Sequence, residues 1–253
     1  MECPEEPVVG PSSLHKSRRG TFSFVSRQVL LPVCLTSLIL APRAIAQDIA
    51  DQFLPEINVR YELPPGMAVW FQAKTTRENG DPTQAEVGPS FIYTPSNMFR
   101  FGGTAMPMTL SIGYRYVGSP DAATINRMVP MVALGLPFER VRVSDRNRAD
   151  LDWQSRKFSW RYRNRLNVAY PWRLRRYEAT PYVSAESYYT SQYGKWSDTA
   201  LHVGCKLPIR KHSALNIYYE HQNTTGKKPN EQYRQLGLML NLTFGTPRRE
   251  TDE

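Results

Sequence analysis

Apolar and polar residues alternate along most of the chain after residue 47, and a period of two is the period of a β-strand. The segment from Gln235 to Phe244 shows the alternation best, because four leucines and the final phenylalanine share one face. We count eleven segments of this kind, and none of the chain combines helical spacing with helix caps. The sequence therefore predicts an all-β fold.

Two all-β architectures fit such alternation, a soluble β-sandwich and a transmembrane β-barrel. Segment lengths near the roughly 10 residues needed to cross a bilayer favour the barrel. Short turns alternate with longer polar loops, and the last segment ends on the aromatic Phe244. We predict short turns at 63–66, 135–138, 170–176 and 208–212, and longer loops at 74–83, 117–124, 191–196 and 223–230. The prediction is an antiparallel up-and-down transmembrane β-barrel of about 10–12 strands, with the sandwich as the alternative.

The number of strands follows from where the chain ends would lie. A barrel with both ends on the same side of the membrane needs an even number of strands, so we expect one more than eleven, at Asp48–Leu54 or Met98–Thr104. Proline cannot donate to a sheet, so bulges or shifted strand ends are expected at Pro89, Pro130 and Pro181. Tryptophans near strand ends predict aromatic girdles; they are Trp70, Trp153, Trp172 and Trp196.

The first 46 residues have the features of a secretory signal peptide. A basic stretch containing Arg18 and Arg19 precedes the apolar run 29–39, which is too short to span a bilayer. The residues 44–46 (Ala-Ile-Ala) provide a cleavage site. We therefore predict a signal peptide at 1–46, a β-barrel domain at 47–246 and a polar C-terminal tail at 247–253. With the barrel, this predicts the bacterial outer membrane as the location.

Bulk composition narrows the classes of protein. A mean hydropathy of -0.49 argues against a bundle of membrane helices, but a barrel hides polar residues in its lumen and stays compatible. The formal net charge of +9 is not gathered into a basic block, so we expect no nucleic-acid partner. Beyond the leader, Cys205 is the single cysteine; we expect a small apolar filler and no metal or other cofactor.

The strongest concentration of charge lies on alternate positions of two successive predicted strands. An arginine facing lipid at the bilayer midplane would cost about 2–4 kcal/mol, so these side chains are expected to point into the lumen. Asp152 shares the face of the first of these strands. The predicted lumen-facing charged residues are Arg142, Arg146, Arg148, Asp150, Arg161, Arg163, Arg165, Glu178, Glu186 and Glu220.

Such a lumen has two interpretations. The arginines form a positive ladder that favours anions in a small channel, or they pair with carboxylates and fill a structural barrel. We predict a mixed, partly filled interior. The alternatives are a periplasmic all-β binding protein, or a lipid-modifying barrel enzyme. His202 has lumen parity, which means that it falls on the alternate positions of its strand that face the lumen. No nucleophile motif accompanies it, so no enzyme is expected. The expected partners are outer-membrane lipid and, during biogenesis, the barrel-assembly machinery and periplasmic chaperones.

Four motifs between 142 and 244 resemble a known bacterial family. They are WRYRNRL at 160–166, YPW at 170–172, PYVSAE at 181–186 and LNIYYEHQ at 215–222. The family is domain-of-unknown-function family two thousand four hundred and ninety, whose members are regarded as outer-membrane barrels without an assigned activity. The resemblance therefore implies the fold and leaves the function open. Relative to the usual hairpin of that family, 98–107 resembles an insertion.

Overall fold

The computed structural model describes residues 48–95, 99–101, 104–120, 122–138, 140–174, 177–226 and 228–245. The predicted signal peptide (1–46) and polar tail (247–253) lie outside these ranges, and both stay predictions. Within the ranges, no helix is long and apolar enough to cross a membrane. The strands are β1 (Asp48–Leu63), β2 (Met67–Glu78), β3 (Asp81–Tyr93), β4 (Phe99–Phe101), β5 (Thr104–Met106), β6 (Met108–Ser119), β7 (Ala122–Pro137), β8 (Arg142–Gln154), β9 (Lys157–Ala169), β10 (Trp172–Leu174), β11 (Tyr177–Thr190), β12 (Lys195–Arg210), β13 (Ser213–Thr224) and β14 (Glu231–Gly245).

Eleven of these strands form one closed barrel. Going around it, the order is β1, β2, β3, β6, β7, β8, β9, β11, β12, β13 and β14, and every neighbouring pair but the last is antiparallel. The circle closes where β14 lies parallel to β1. The short β10 pairs with the start of β11, and β4 and β5 form a separate two-stranded hairpin within the predicted insertion. The chain is therefore all-β, and its closed sheet excludes the soluble sandwich.

The expectation of an even number of strands is wrong. Asp48–Leu54 is the first half of β1, and the 98–104 region contributes to the β4–β5 hairpin outside the barrel. An odd number of strands that alternate in direction leaves the first and the last running the same way, so they can meet only as a parallel pair. The barrel therefore begins at one end, here called end A, and finishes at the opposite end, end B.

The pleat of each strand separates an apolar exterior from a polar lumen. On β14, Leu236 and Leu238 are exposed on the outside, whereas Gln235 of the same strand is buried in the lumen. Exposed apolar side chains on other strands include Ile57, Phe71, Phe91, Ile112, Leu166 and Val203. Buried polar side chains include Glu56, Asn58, Gln72, Arg115, Asp150, Glu186, His202 and Glu220. The barrel therefore carries mostly apolar side chains on its outside and mostly polar ones in its lumen.

The strands run through all three prolines without a bulge at any of them. Around Pro89 the β3–β6 ladder has a gap between the pairs Val87–Tyr116 and Ser90–Gly113. Arg115 fills it from the lumen, since its Nη1 donates to the carbonyl oxygens of Pro89 (2.7 Å) and Tyr114 (2.8 Å). A Cβ on Gly88 would overlap the Tyr114 carbonyl oxygen, so the close approach of the two backbones here requires glycine.

The predicted contrast between short turns and long loops is confirmed only in part. Strands extend into two of the predicted loops at end A, so that β2–β3 and β6–β7 are joined by two residues each, whereas β11–β12 and β13–β14 keep connections of four and six residues. Asn79 and Gly80 both have positive φ, as a tight hairpin requires. The long connection 94–107, which contains β4 and β5, lies instead at end B.

Aromatic side chains gather on the exterior near both ends of the barrel. Near end A, Trp160 stacks on Tyr189 with ring centroids 5.4 Å apart, and Trp196 meets Tyr189 edge-on. Near end B, Phe244 stacks on His212. The assignment of Trp70 to a girdle is wrong, because its position has lumen parity.

Candidate functional site

Glu186, on β11, is the centre of a charged network inside the barrel. Its carboxylate is buried and accepts hydrogen bonds from Arg163 Nε (2.9 Å), Arg146 Nη2 (3.1 Å) and Arg165 Nε (2.8 Å). The hydroxyl of Tyr188 donates to the same carboxylate at 3.1 Å. One carboxylate therefore joins guanidinium groups from β8 and β9 to β11.

Asp150, on β8, is the second centre of this network and is fully buried. Arg148 Nε lies 2.6 Å and Arg161 Nη2 3.0 Å from its carboxylate oxygens, and Arg163 Nη1 lies 3.7 Å away. Arg163 thus bridges Asp150 and Glu186. We call the five arginines of β8 and β9 the arginine wall; they are Arg146, Arg148, Arg161, Arg163 and Arg165.

Strand register is what builds the arginine wall. The β8–β9 turn at Ser155 and Arg156, both with positive φ, sets Arg148 opposite Arg163. Arg146 faces Arg165 in the same way. Like charges directly opposite each other are destabilising, and the two inserted carboxylates offset that repulsion. Five guanidinium groups against two carboxylates still leave this wall cationic.

A second cluster, which the sequence reasoning missed, lies between β3, β6, β7 and β8. Arg127 donates two hydrogen bonds to the Asp152 carboxylate, from Nε at 2.6 Å and from Nη2 at 2.9 Å. Its Nη1 lies 3.3 Å from Glu86 Oε2. Arg115 Nε lies 3.6 Å from the same Glu86 and 2.9 Å from Gln72 Oε1. Each of the four strands carries one of these charges. The only signal in the sequence was therefore that each residue falls on a lumen-facing position, which does not identify its partner.

His202, in the middle of β12, is held between two carboxylates and is 1% exposed. Its Nδ1 is 3.1 Å from Glu220 Oε2, and its Nε2 is 3.5 Å from Glu186 Oε2. Ser184 is its direct cross-strand neighbour, with 2% of its surface exposed, and lies outside the lining of the lumen cavity.

Two predicted lumen residues lie away from the network. Arg142 starts β8 at end B and is exposed, and Glu178 forms an ion pair of 2.8 Å with Arg173 in which both side chains are exposed. Alternation along a strand predicts the face of a residue but not its height in the barrel. The structure brings the other eight predicted residues into the lumen; they are Arg146, Arg148, Asp150, Arg161, Arg163, Arg165, Glu186 and Glu220.

A cavity of about 640 Å³ lies in front of the arginine wall and is lined by all five of its members. The facing strands β1, β2, β13 and β14 contribute seven side-chain amides together with the charged Glu56, Lys74 and Glu220. Those amides belong to Gln52, Asn58, Gln72, Asn216, Gln222, Gln235 and Asn241. The carboxylate of Glu56 on that side accepts bonds from Asn58 (2.8 Å) and Gln72 (2.7 Å). The lumen is therefore asymmetric, because the cationic arginine wall lies opposite a wall of amides that also carries Glu56, Glu220 and Lys74.

Within the described residues, no three or more His, Cys, Asp and Glu side chains are arranged to hold a metal ion. The chain matches no curated protein. Residues 51–233 match the model of a family described as "Protein of unknown function (DUF2490)". That match runs from β1 into β14 and includes the arginine wall. The chain therefore belongs to this family of unknown function.

Proposed function

We propose that the chain is a bacterial outer-membrane β-barrel whose lumen admits and binds small anionic solutes. The observation that carries the proposal is the arginine wall, in which five guanidinium groups share two carboxylates in front of a cavity of about 640 Å³. Guanidinium groups bind carboxylate and phosphate oxygens strongly, because their fork of donors matches the geometry of these anions.

The surface of the barrel supports a membrane location. Strands of 12 to 16 residues exceed the roughly 10 that a tilted strand needs to cross a bilayer. Exposed large apolar side chains occur on the outside of all eleven barrel strands, and a contiguous apolar surface of this kind is typical of a membrane-facing wall. Aromatic rings near both ends suit the two membrane–water interfaces.

The arginines differ in how much of each side chain the network leaves open to a solute. Arg163 and Arg165 donate to Glu186 and keep 16% and 24% of their side chains exposed. Arg146 and Arg161 each donate from Nη2 to the network and keep 29% and 31% exposed. These two arginines line the cavity, so a small anion placed there would meet the exposed part of each guanidinium group.

The test is ion selectivity of the purified protein in planar bilayers under a potassium chloride gradient. We expect the wild type to prefer chloride, and Arg161→Gln to lower the anion-to-cation permeability ratio several-fold. Arg173→Gln is the matched control, because that arginine lies in an exposed pair outside the lumen, and it should leave the ratio unchanged. Cation selectivity in the wild type would refute the proposal.

A thermal-unfolding measurement tests whether the lumen binds an anion even if the barrel does not conduct ions. Inorganic phosphate should raise the midpoint of thermal unfolding of the wild type more than that of Arg161→Gln, since a ligand that binds only the folded state stabilises it. Absence of both conductance and phosphate stabilisation would refute the anion role. Recovery of the protein from cells as a soluble species would refute the membrane location.

A further inference from the structure

Polar side chains interrupt the apolar exterior at one place near the middle of the barrel. Asp145 and Asn147 on β8 and Asn164 on β9 have the parity of the exterior, opposite to that of the arginine wall. Tyr162 shares that face of β9. We call these four residues the exterior polar patch, and each of them is half-buried.

The members of the exterior polar patch are joined by hydrogen bonds. Asn147 Nδ2 donates to Asp145 at 2.6 Å, and Asn164 Nδ2 donates to the other oxygen of that carboxylate at 2.8 Å. Asn164 Nδ2 also lies 3.1 Å from Asn147 Oδ1, to which the Tyr162 hydroxyl donates. The patch is thus one connected polar group on the outer surface.

Apolar residues flank the patch along both of its strands and on β7, which places it within the apolar band, and Ser187 of β11 lies directly opposite Asn164. Along β8, Val143 and Leu151 flank it; along β9, Leu166 and Trp160 do. On the neighbouring β7, Val132 lies directly opposite Asn147. If the barrel spans a membrane, as proposed above, the patch lies among lipid chains.

Lipid chains cannot satisfy such a patch. A side-chain amide carries two donors and an oxygen that accepts two bonds, and the bonds within the patch do not use all of them. Polar side chains within a membrane pair with one another or hydrogen-bond across a contact between protein surfaces. The donors and acceptors that the patch leaves unused favour a protein partner in the bilayer.

We propose that this partner is a second copy of the same chain, docked through β8 and β9 about a twofold axis. Amides are self-complementary, because the donor of one copy can bond the acceptor of the other. Asp145 lies at the end-B corner of the patch and already accepts two amide bonds, so an axis through the asparagines keeps the two carboxylates apart. Ala149 and Ser187, which adjoin the patch, are small enough for two barrel walls to approach closely.

The experiment is cysteine cross-linking of the full chain in isolated outer membranes. Cys205→Ser removes the exterior cysteine of β12, and Ala149→Cys then places a thiol beside the patch. Ala73→Cys is the control, because that residue is exterior on β2, away from β8 and β9. After mild oxidation, we expect Ala149→Cys to yield several-fold more disulfide-linked dimer than Ala73→Cys. Adding Asn147→Leu and Asn164→Leu should remove most of that excess.

The outcomes separate this inference from the proposed function. A membrane-embedded barrel whose Ala149→Cys gives no more dimer than the control overturns the second copy and leaves the barrel proposal intact. A cross-link to a different protein also overturns it. Recovery as a soluble protein overturns both proposals. If the leucine variant does not fold, shown by loss of its heat-dependent shift in electrophoresis, the milder Asn164→Ala takes its place, and an unchanged dimer yield then counts against the patch.

Discussion

Replacing Glu186 by glutamine tests whether the lumen network holds the barrel together. The carboxylate is 2% exposed and is bonded to three guanidinium groups of the arginine wall, from Arg146, Arg163 and Arg165. Glutamine keeps the shape and removes the charge, so three cations on neighbouring strands lose their shared counterion. Removing one partner of a buried ion pair costs about 3–5 kcal/mol, and we expect Glu186→Gln to fall in this range.

The assay is equilibrium unfolding by urea in lipid vesicles, followed by tryptophan fluorescence. Glu178→Gln is the matched control, because its ion pair with Arg173 is exposed on both sides and such pairs contribute about 0–1 kcal/mol. The double variant Glu186→Gln with Arg165→Gln should be less destabilised than the sum of the single variants, by about 0.5–3 kcal/mol, because it also removes one uncompensated cation.

A loss below about 1 kcal/mol for Glu186→Gln, equal to that of Glu178→Gln, would refute this reasoning. It would mean that water in the cavity screens the arginine wall as effectively as bulk solvent does. The network would then be an arrangement that the fold tolerates, and the stability of the barrel would rest on its ladder of backbone hydrogen bonds.

Two further substitutions test how tightly the lumen is packed and bonded. A Cβ on Gly237 would overlap the ring of Tyr218, so Gly237→Ala should cost about 1–3 kcal/mol in the same unfolding assay; Gly118→Ala, whose nearest neighbouring atom is 3.9 Å away, should change stability by less than about 0.5 kcal/mol. Arg115→Gln should cost at least about 2 kcal/mol, because carbonyl groups at the Pro89 gap lose their donor, and amide hydrogen exchange should rise locally in β3 and β6. Equal stability of the two alanine variants, or unchanged exchange in Arg115→Gln, would contradict these expectations.

Alternation in the sequence was enough to predict an all-β fold, because it is a local property of each strand, and the strand lengths favoured the barrel over the sandwich. The eleven segments counted correspond to the eleven barrel strands, and parity alone predicts that Arg161 and Arg163 face inward. What failed depends on more than one strand. The even number was inferred from where the chain ends were expected to lie, and the loop lengths were inferred from composition, although polar residues such as Glu78 continue the strands.

The site was harder to predict than the fold for the same reason. Register decides which lumen residues meet, so the pairing of Arg127 with Asp152, from different strands, could not be read from either segment. A residue on a lumen-facing position reaches the network only if it lies at the right distance along the barrel axis. Arg142 and Glu178 lie too close to the end of the barrel to reach it. The exterior polar patch also becomes visible only when β8 and β9 are paired, since Asn147 and Asn164 lie directly opposite each other.

The parallel seam between β1 and β14 constrains how this protein can be re-engineered. In a barrel with an even number of strands, a short linker can join the first and last residues, and new termini can be opened at any turn. Here the two ends emerge from opposite mouths of the cylinder, so a circular permutant needs a connector as long as the wall itself. A connector that enters the seam as an extra strand would meet this requirement, and it would give β1 and β14 antiparallel neighbours on both sides.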